Sequence, residues 1–145
     1  MLFRSRYAGI VSRRAALSIE VQTTGTPAVL PASYNQQVFS LLREGLNNIE
    51  KHAYARHVQL RLNWSARELG IELVDDGIGF DQISLVDGHY GLIMMREQVN
   101  ELGGEAYVDS LLGRGTRLKF LIPLAWMLTK EPLWESGSLQ PQELE

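Results

Sequence analysis

The stretch Val58–Gly79, VQLRLNWSARELGIELVDDGIG, decides the fold. Val58, Leu60, Leu62 and Trp64 alternate with His57, Gln59, Arg61 and Asn63, which marks a strand buried on one face. A turn near Ser65–Arg67 leads into a second strand, from about Leu69 to Val74, and the two runs predict a hairpin. The second strand stops at Asp75, and Asp75-Asp76-Gly77-Ile78-Gly79 supplies turn chemistry where the backbone must bend and approach something closely.

Outward from this hairpin the chain alternates element types. Upstream, Leu17–Gln22 (LSIEVQ) alternates as a strand, Thr23–Pro31 reads as a loop, and a helix is expected from about Ser33, its N-cap, to about His52. Downstream, a helix beginning near Tyr90 carries Leu92, Met95, Val99 and Leu102 at steps of three and four until Gly103-Gly104 stops it. Strands at about Glu105–Ser110 and Thr116–Ile122 follow, joined by Leu111-Leu112-Gly113-Arg114-Gly115. Strand, helix, two strands, helix, two strands predicts an α/β two-layer sandwich: a mixed β-sheet covered on one face by helices. The expected division is 1–16, a linker or the end of an entering helix; 17–124, the domain; and 125–145, a C-terminal tail whose Trp126 and Trp134 give more apolar surface than solvent suits, for packing on the sandwich or for docking onto a partner.

Composition bounds the function. With 145 residues, 45% apolar and 21% charged, the chain suits one globular domain with a real core. A formal net charge of -3 gives no electrostatic reason to expect nucleic acid or an anionic membrane as a partner. Cysteine is absent, which removes disulfides, thiolate metal sites and thiol nucleophiles. No apolar run reaches the ~18 residues that a membrane-spanning helix needs. The arginine-bearing N-terminus lacks the compact apolar core of a signal peptide, so a cytoplasmic setting is the simplest expectation.

The polar face of the first long helix carries chemistry. At about 100° per residue, Asn48 lies roughly 40° to one side of Glu44 and Lys51 roughly 20° to the other, so the three share a face. Val38, Leu41, Leu42, Leu46 and Ile49 occupy another. A carboxylate, an amide and an ammonium so placed suit a magnesium-chelated polyphosphate: magnesium takes oxygen ligands and keeps several waters, so one or two protein groups suffice. Asn48 would offer its amide oxygen, Glu44 would orient a metal-bound water, and Lys51 would neutralise phosphate. Asp75, at the end of an apolar strand, needs a hydrogen-bond donor, and the exocyclic amine of adenine is one. Gly88-His89-Tyr90-Gly91-Leu92 precedes a helix whose first N–H groups have no internal partners and favour an anion. Each element has an ordinary structural explanation by itself; their order and spacing weigh against coincidence.

These residues carry a resemblance. REGLNNIEKHA (Arg43–Ala53), DDGIGFD (Asp75–Asp81), GHYGLIMMREQV (Gly88–Val99) and GRGTRLKFLIPL (Gly113–Leu124) resemble the N, G1 and G2 boxes and the glycine-threonine strand of bacterial sensor histidine kinases, more narrowly their nitrate-sensor subfamily. The resemblance implies the left-handed α/β sandwich shared by gyrase, the large heat-shock chaperone and histidine kinases, with ATP and magnesium as cofactors. It implies Asn48 on magnesium, Glu44 as the neighbouring carboxylate, Lys51 and His52 near the phosphates, and Asp75 on the adenine amine. Gly77 and Gly79 would shape the adenine pocket, and Gly88, His89, Tyr90, Gly91 and Leu92 would belong to the lid and its helix. Thr116 would hydrogen-bond near Asp75 or the adenine.

The implied function is the catalytic domain of a two-component kinase that donates the γ-phosphate to a histidine on a dimerisation domain, for relay to a LuxR-type response regulator. That setting is the cytoplasmic part of a membrane-bound receptor. One departure stands against a self-sufficient kinase: the three histidines, His52, His57 and His89, each lie outside the context of a phospho-acceptor. Two further readings keep the same fold: a free-standing anti-sigma-type serine kinase, and a nucleotide-binding module without turnover.

Overall fold

The computed structural model describes residues 17–79 and 90–124. The expected N-terminal helix, the lid glycine Gly88 with His89, the C-terminal tail, and the side chains of His52 and Tyr90 lie outside the described residues.

The elements are β1 (Ser18–Thr24), α1 (Ala32–Asn48), a π-helical turn (Ile49–Ala53), β2 (His57–Trp64), β3 (Glu68–Asp75), α2 (Tyr90–Glu101), β4 (Glu105–Leu111) and β5 (Gly115–Pro123). One five-stranded sheet has the order β1-β2-β3-β5-β4. The β2–β3 pair is the expected hairpin, with Leu62 opposite Ile71. β1 runs parallel to β2, the pairing that a helical crossover such as α1 permits and a tight hairpin does not. All other pairs are antiparallel, so the sheet is mixed, as expected.

Alternation assigns the layers. Leu60, Leu62, Leu69, Ile71, Leu73, Leu118, Phe120 and Ile122 are buried on the face that meets Val38, Leu41, Leu42 and Leu46 of α1 and Met95, Val99 and Leu102 of α2. Burial of each such side chain contributes about 1.5–3 kcal/mol. α1 presses close on the sheet: a Cβ at Gly45 would lie 2.5 Å from Leu73 Cδ1. The opposite face is polar. There Glu72 pairs with Arg61 at 3.2 Å and Arg117 at 3.4 Å, contacts that contribute little stability but keep that face wetted. Helices on one face and charge on the other give the two-layer sandwich.

Two helix boundaries differ from expectation. α1 begins at Ala32 rather than after Ser33. Pro31, in extended geometry, occupies the cap position and its carbonyl accepts the Asn35 N–H at 2.9 Å, so no side-chain cap is used. At the other end, the α-helix gives way after Asn48 to the π-helical turn, which closes on Tyr54 at φ +50°. A wider i→i+5 turn breaks the straight-helix phase. Glu44 and Asn48, both within α1 proper, keep their shared face, whereas the offset expected for Lys51 no longer applies.

Tyr54 is 83% exposed, so no burial offsets its left-handed backbone, which costs a non-glycine residue about 1–2 kcal/mol. Tyr54→Gly is therefore expected to raise the unfolding free energy by about 1 kcal/mol, less the entropy that glycine adds to the unfolded chain. Denaturant unfolding measures this, and a loss of stability would show that the tyrosine ring makes a contact worth more than its strain.

Candidate functional site

Asp75 closes β3. It is only 5% exposed and sits opposite Thr116 of β5 in the sheet register. Its Oδ1 accepts the Gly77 N–H at 2.9 Å. Burial pushes its pKa up from the ordinary carboxylate value, and the backbone N–H groups of Gly77 and Thr116 oppose that rise while neighbouring Asp76 adds to it. A carboxyl whose folded pKa is raised favours the fold most at pH below its unfolded pKa and loses that contribution as pH rises through the folded value. Above the folded pKa the ionised, buried Asp75 is therefore a cost to the empty domain.

Asp76, one residue on, has the opposite role. Its Oδ1 accepts the backbone N–H groups of Arg56 at 2.8 Å and His57 at 2.9 Å, and its own N–H donates to the His57 carbonyl. The His57 hydrogen bond leads the causes that lower its pKa, so its contribution is present above the unfolded pKa and lost as pH falls through the folded one. Asp76 ties the loop after β3 to the start of β2. The sequence pattern alone assigns it no role, although an Asp followed by Gly at a strand end is a recognisable signal for such backbone capping.

The β4–β5 turn packs onto the same loop. Gly113 N–H donates to the Ile78 carbonyl at 2.7 Å, and a Cβ at Gly79 would lie 2.1 Å from the Leu111 carbonyl oxygen. Glycine at 79 is thus required by a close approach to the turn. A cleft of about 310 Å³ opens at this end of the sheet, lined by Asp75, Ser110, Thr116 and Arg114 and, from the outer face, by Val74, Asp109 and Arg117.

The second centre lies where α1 meets α2. Gly91 falls in the first turn of α2, as the helix expected from near Tyr90 requires, although the family resemblance assigns it to the lid. A Cβ there would lie 2.9 Å from Glu44 Oε1, 3.2 Å from Asn48 Nδ2 and 3.4 Å from Asn48 Oδ1. The fold thus sets the carboxylate and amide of α1 directly against the start of α2, whose first turn holds no acidic residue. Hard oxygen donors beside a helix start, where the first N–H groups have no intrahelical partner, are a chemically consistent set for a cation-chelated anion. No cluster of three or more His, Asp or Glu side chains suited to a metal is found among the described residues. Lys51 is exposed on the π-helical turn.

This architecture matches a known family. The family model described as histidine kinase-, DNA gyrase B-, and HSP90-like ATPase matches residues 34–125. The chain belongs to this ATPase family. Its relatives include the signal transduction histidine-protein kinase/phosphatase DegS of Brevibacillus brevis, 28% identical over 82% of this chain and 31% of the relative. Another is the kinase/phosphatase UhpB of Salmonella typhimurium, 39% identical over 65% of this chain and 18% of the relative. The histidine kinase domain of the blue-light activated kinase from Erythrobacter litoralis EL346 superposes with a TM-score of 0.71 at 26% identity, covering 86% of this chain and 60% of that one. The chain therefore spans less than a third of the length of the two curated relatives.

Within the ATPase family fold, the expected site residues fall into two groups. Glu44, Asn48 and Gly91 converge where the helices meet, and Asp75, Gly77, Gly79 and Thr116 converge at the sheet end. Thr116 meets Asp75 through its backbone N–H, while its hydroxyl lies 2.8 Å from that of Ser110. Ser110 is not among the residues the sequence pattern singles out; the signal available is a serine directly preceding the hairpin turn. Leu92 is half-buried against the core, consistent with packing rather than with nucleotide contact.

Proposed function

We propose that the domain binds ATP with magnesium and presents the γ-phosphate to a histidine on a separate dimerisation domain, for relay to a response regulator of the LuxR type. The observation that carries the reading is the seating of Gly91 against Glu44 and Asn48, which joins the oxygen donors of one helix to the N-terminus of the other. The base end is assigned to Asp75, whose ionised carboxylate accepts from the adenine amine, with Gly77 and Gly79 shaping the wall. Gly88, His89, Tyr90 and Lys51 with His52 are assigned to the phosphate side from the sequence pattern. Residues 17–124 form the catalytic unit, 1–16 its entering segment and 125–145 a tail, in the cytoplasmic part of a receptor.

Phosphoryl transfer depends mainly on positioning and charge neutralisation. Magnesium, when bound, neutralises the phosphate oxygens. Asn48 would offer its amide oxygen to the metal, the α2 N-terminus would offer N–H groups to phosphate, and Glu44 would orient water or accept a proton from the incoming imidazole. Asp75 fixes the base and so the direction in which the triphosphate extends.

Asn48→Ala is expected to abolish the gain in ATP affinity that magnesium confers while leaving the melting temperature within a few degrees of wild type. Calorimetry with and without magnesium reads this, and a magnesium gain that survives removes Asn48 from the metal. Reaction class follows from labelled ATP supplied with a dimerisation domain: acid-labile, alkali-stable label is the expected phosphohistidine. Acid-stable label on a serine-bearing substrate would instead support the anti-sigma-type kinase, and no label a binding module.

A further inference from the structure

Asp76 is exposed, as are Arg56 and His57. One oxygen of its carboxylate accepts two successive backbone N–H groups, from Arg56 at 2.8 Å and His57 at 2.9 Å, and its own N–H returns to the His57 carbonyl at 3.2 Å. Water would satisfy both exposed N–H groups if the carboxylate were removed, so this clamp adds little to folding. What it fixes is position. Upstream, only Tyr54 and Ala55 separate Arg56 from the π-helical turn Ile49–Ala53 that carries Lys51. The α-helical phase does not carry through a π turn, and Tyr54, in left-handed geometry, ends it. The far end of the turn is therefore placed by the segment that follows, which is the segment Asp76 holds. On the other side, Asp76 directly follows Asp75, whose Oδ1 is tied to the Gly77 N–H. One carboxylate thus stands between the residue assigned to the base and a residue assigned to the phosphates.

We infer that Asp76 is a positioning residue: its carboxylate locks the exit of the π-helical turn to the loop after β3 and so sets the spacing between Lys51 and Asp75 that a bound nucleotide has to span. The inference rests on the nucleotide reading above and adds to it. Asp76 acts through the backbone of Arg56 and His57 rather than on the nucleotide. A ligand held at two points gains from the second only when their separation matches its own length. A clamp that keeps this separation in the empty domain removes an ordering cost from binding.

The test is a double-mutant cycle read by calorimetry with ATP and magnesium on the full chain, with a thermal melt of each variant. Asp76→Ala should melt within a few degrees of wild type yet bind ATP about fivefold or more weakly. Asp76→Asn keeps an oxygen able to accept both N–H groups and should stay within about threefold of wild type. Asp76→Glu keeps the charge but displaces the acceptor; it should weaken binding as alanine does, and it serves if the alanine variant does not fold. In a Lys51→Ala background the Asp76→Ala loss should shrink to less than about twofold, since the spacing no longer matters once one of its ends is gone. A folded Asp76→Ala protein with wild-type ATP affinity, a loss as large without Lys51 as with it, or an asparagine variant as weak as the alanine one overturns the role of Asp76. Wild-type affinity in Lys51→Ala alone overturns the inference while leaving ATP binding standing. Wild type that binds no ATP overturns the nucleotide reading itself, and the inference with it.

Discussion

Asp75→Asn is expected to lower ATP affinity about ten- to a hundredfold, the equivalent of about 1.5–3 kcal/mol for a hydrogen bond to a charged group. Asparagine retains an oxygen for the Gly77 N–H, but its NH₂ then faces the adenine amine, donor against donor. Stability should respond in the other direction. Burial raises the Asp75 pKa, so above that pKa the empty domain carries a buried charge that the amide removes, and there the variant should melt no lower than wild type. The same sign fixes a pH dependence: as pH falls through the raised pKa, wild-type Asp75 gains a proton and ATP affinity declines, whereas the Asp75→Asn variant lacks that step. Titration calorimetry over pH 4–8, a range around the ordinary carboxylate values, together with thermal melts, checks all three. Wild-type affinity in the variant would remove Asp75 from the base pocket.

Gly115→Ala should be among the most damaging single substitutions in the domain. Gly115 has φ +78°, and a Cβ there would lie 2.0 Å from the Asp75 carbonyl oxygen and 3.2 Å from Asp76 Cα. Neither neighbour is a flexible side chain; both are backbone of the strand end and loop that carry the candidate base pocket. Relief requires β5 to move away from β3, which separates the Thr116 N–H from the Asp75 carboxylate. The expected loss is about 3 kcal/mol or more, from backbone strain together with overpacking. A domain of this size should then melt roughly 10 °C lower. Gly113→Ala is the matched control. It has a similar φ of +81° but nothing within 4 Å of the added atom, so it should cost only about 1 kcal/mol. Equal losses in the two variants would mean that the turn is remodelled and the close approach to Asp75 does not govern stability.

The difference between these two glycines illustrates what can be read from the chain. GRGT advertises a tight turn, but turn chemistry does not reveal which glycine has another strand's backbone against it. The π-helical turn at Ile49–Ala53 is equally hidden, since the periodicity of Val38–Ile49 continues smoothly into it; consequently the shared face of Glu44 and Asn48 is legible and the phase of Lys51 is not. Ser33 has a side chain suited to a cap, yet the loop brings Pro31 to that position. Asp76 is overshadowed by Asp75 because its partners, Arg56 and His57, lie about twenty residues earlier, at the start of another strand.

By itself, the sequence determined the elements whose information is local: the alternation that makes β2 and β3 a one-sided hairpin, the apolar stripes of α1 and α2, the glycine punctuation, and a carboxylate at the end of a buried strand. These follow from periodicity and side-chain size within a few residues. Only the tertiary structure decided the relations between distant segments: β1 parallel to β2, Gly91 of α2 set against Glu44 and Asn48 of α1, and the backbone of Gly115 pressed against Asp75. Such relations depend on how two independently specified surfaces meet when the helices bury their stripes on the sheet, and no local pattern encodes the distance at which they come to rest.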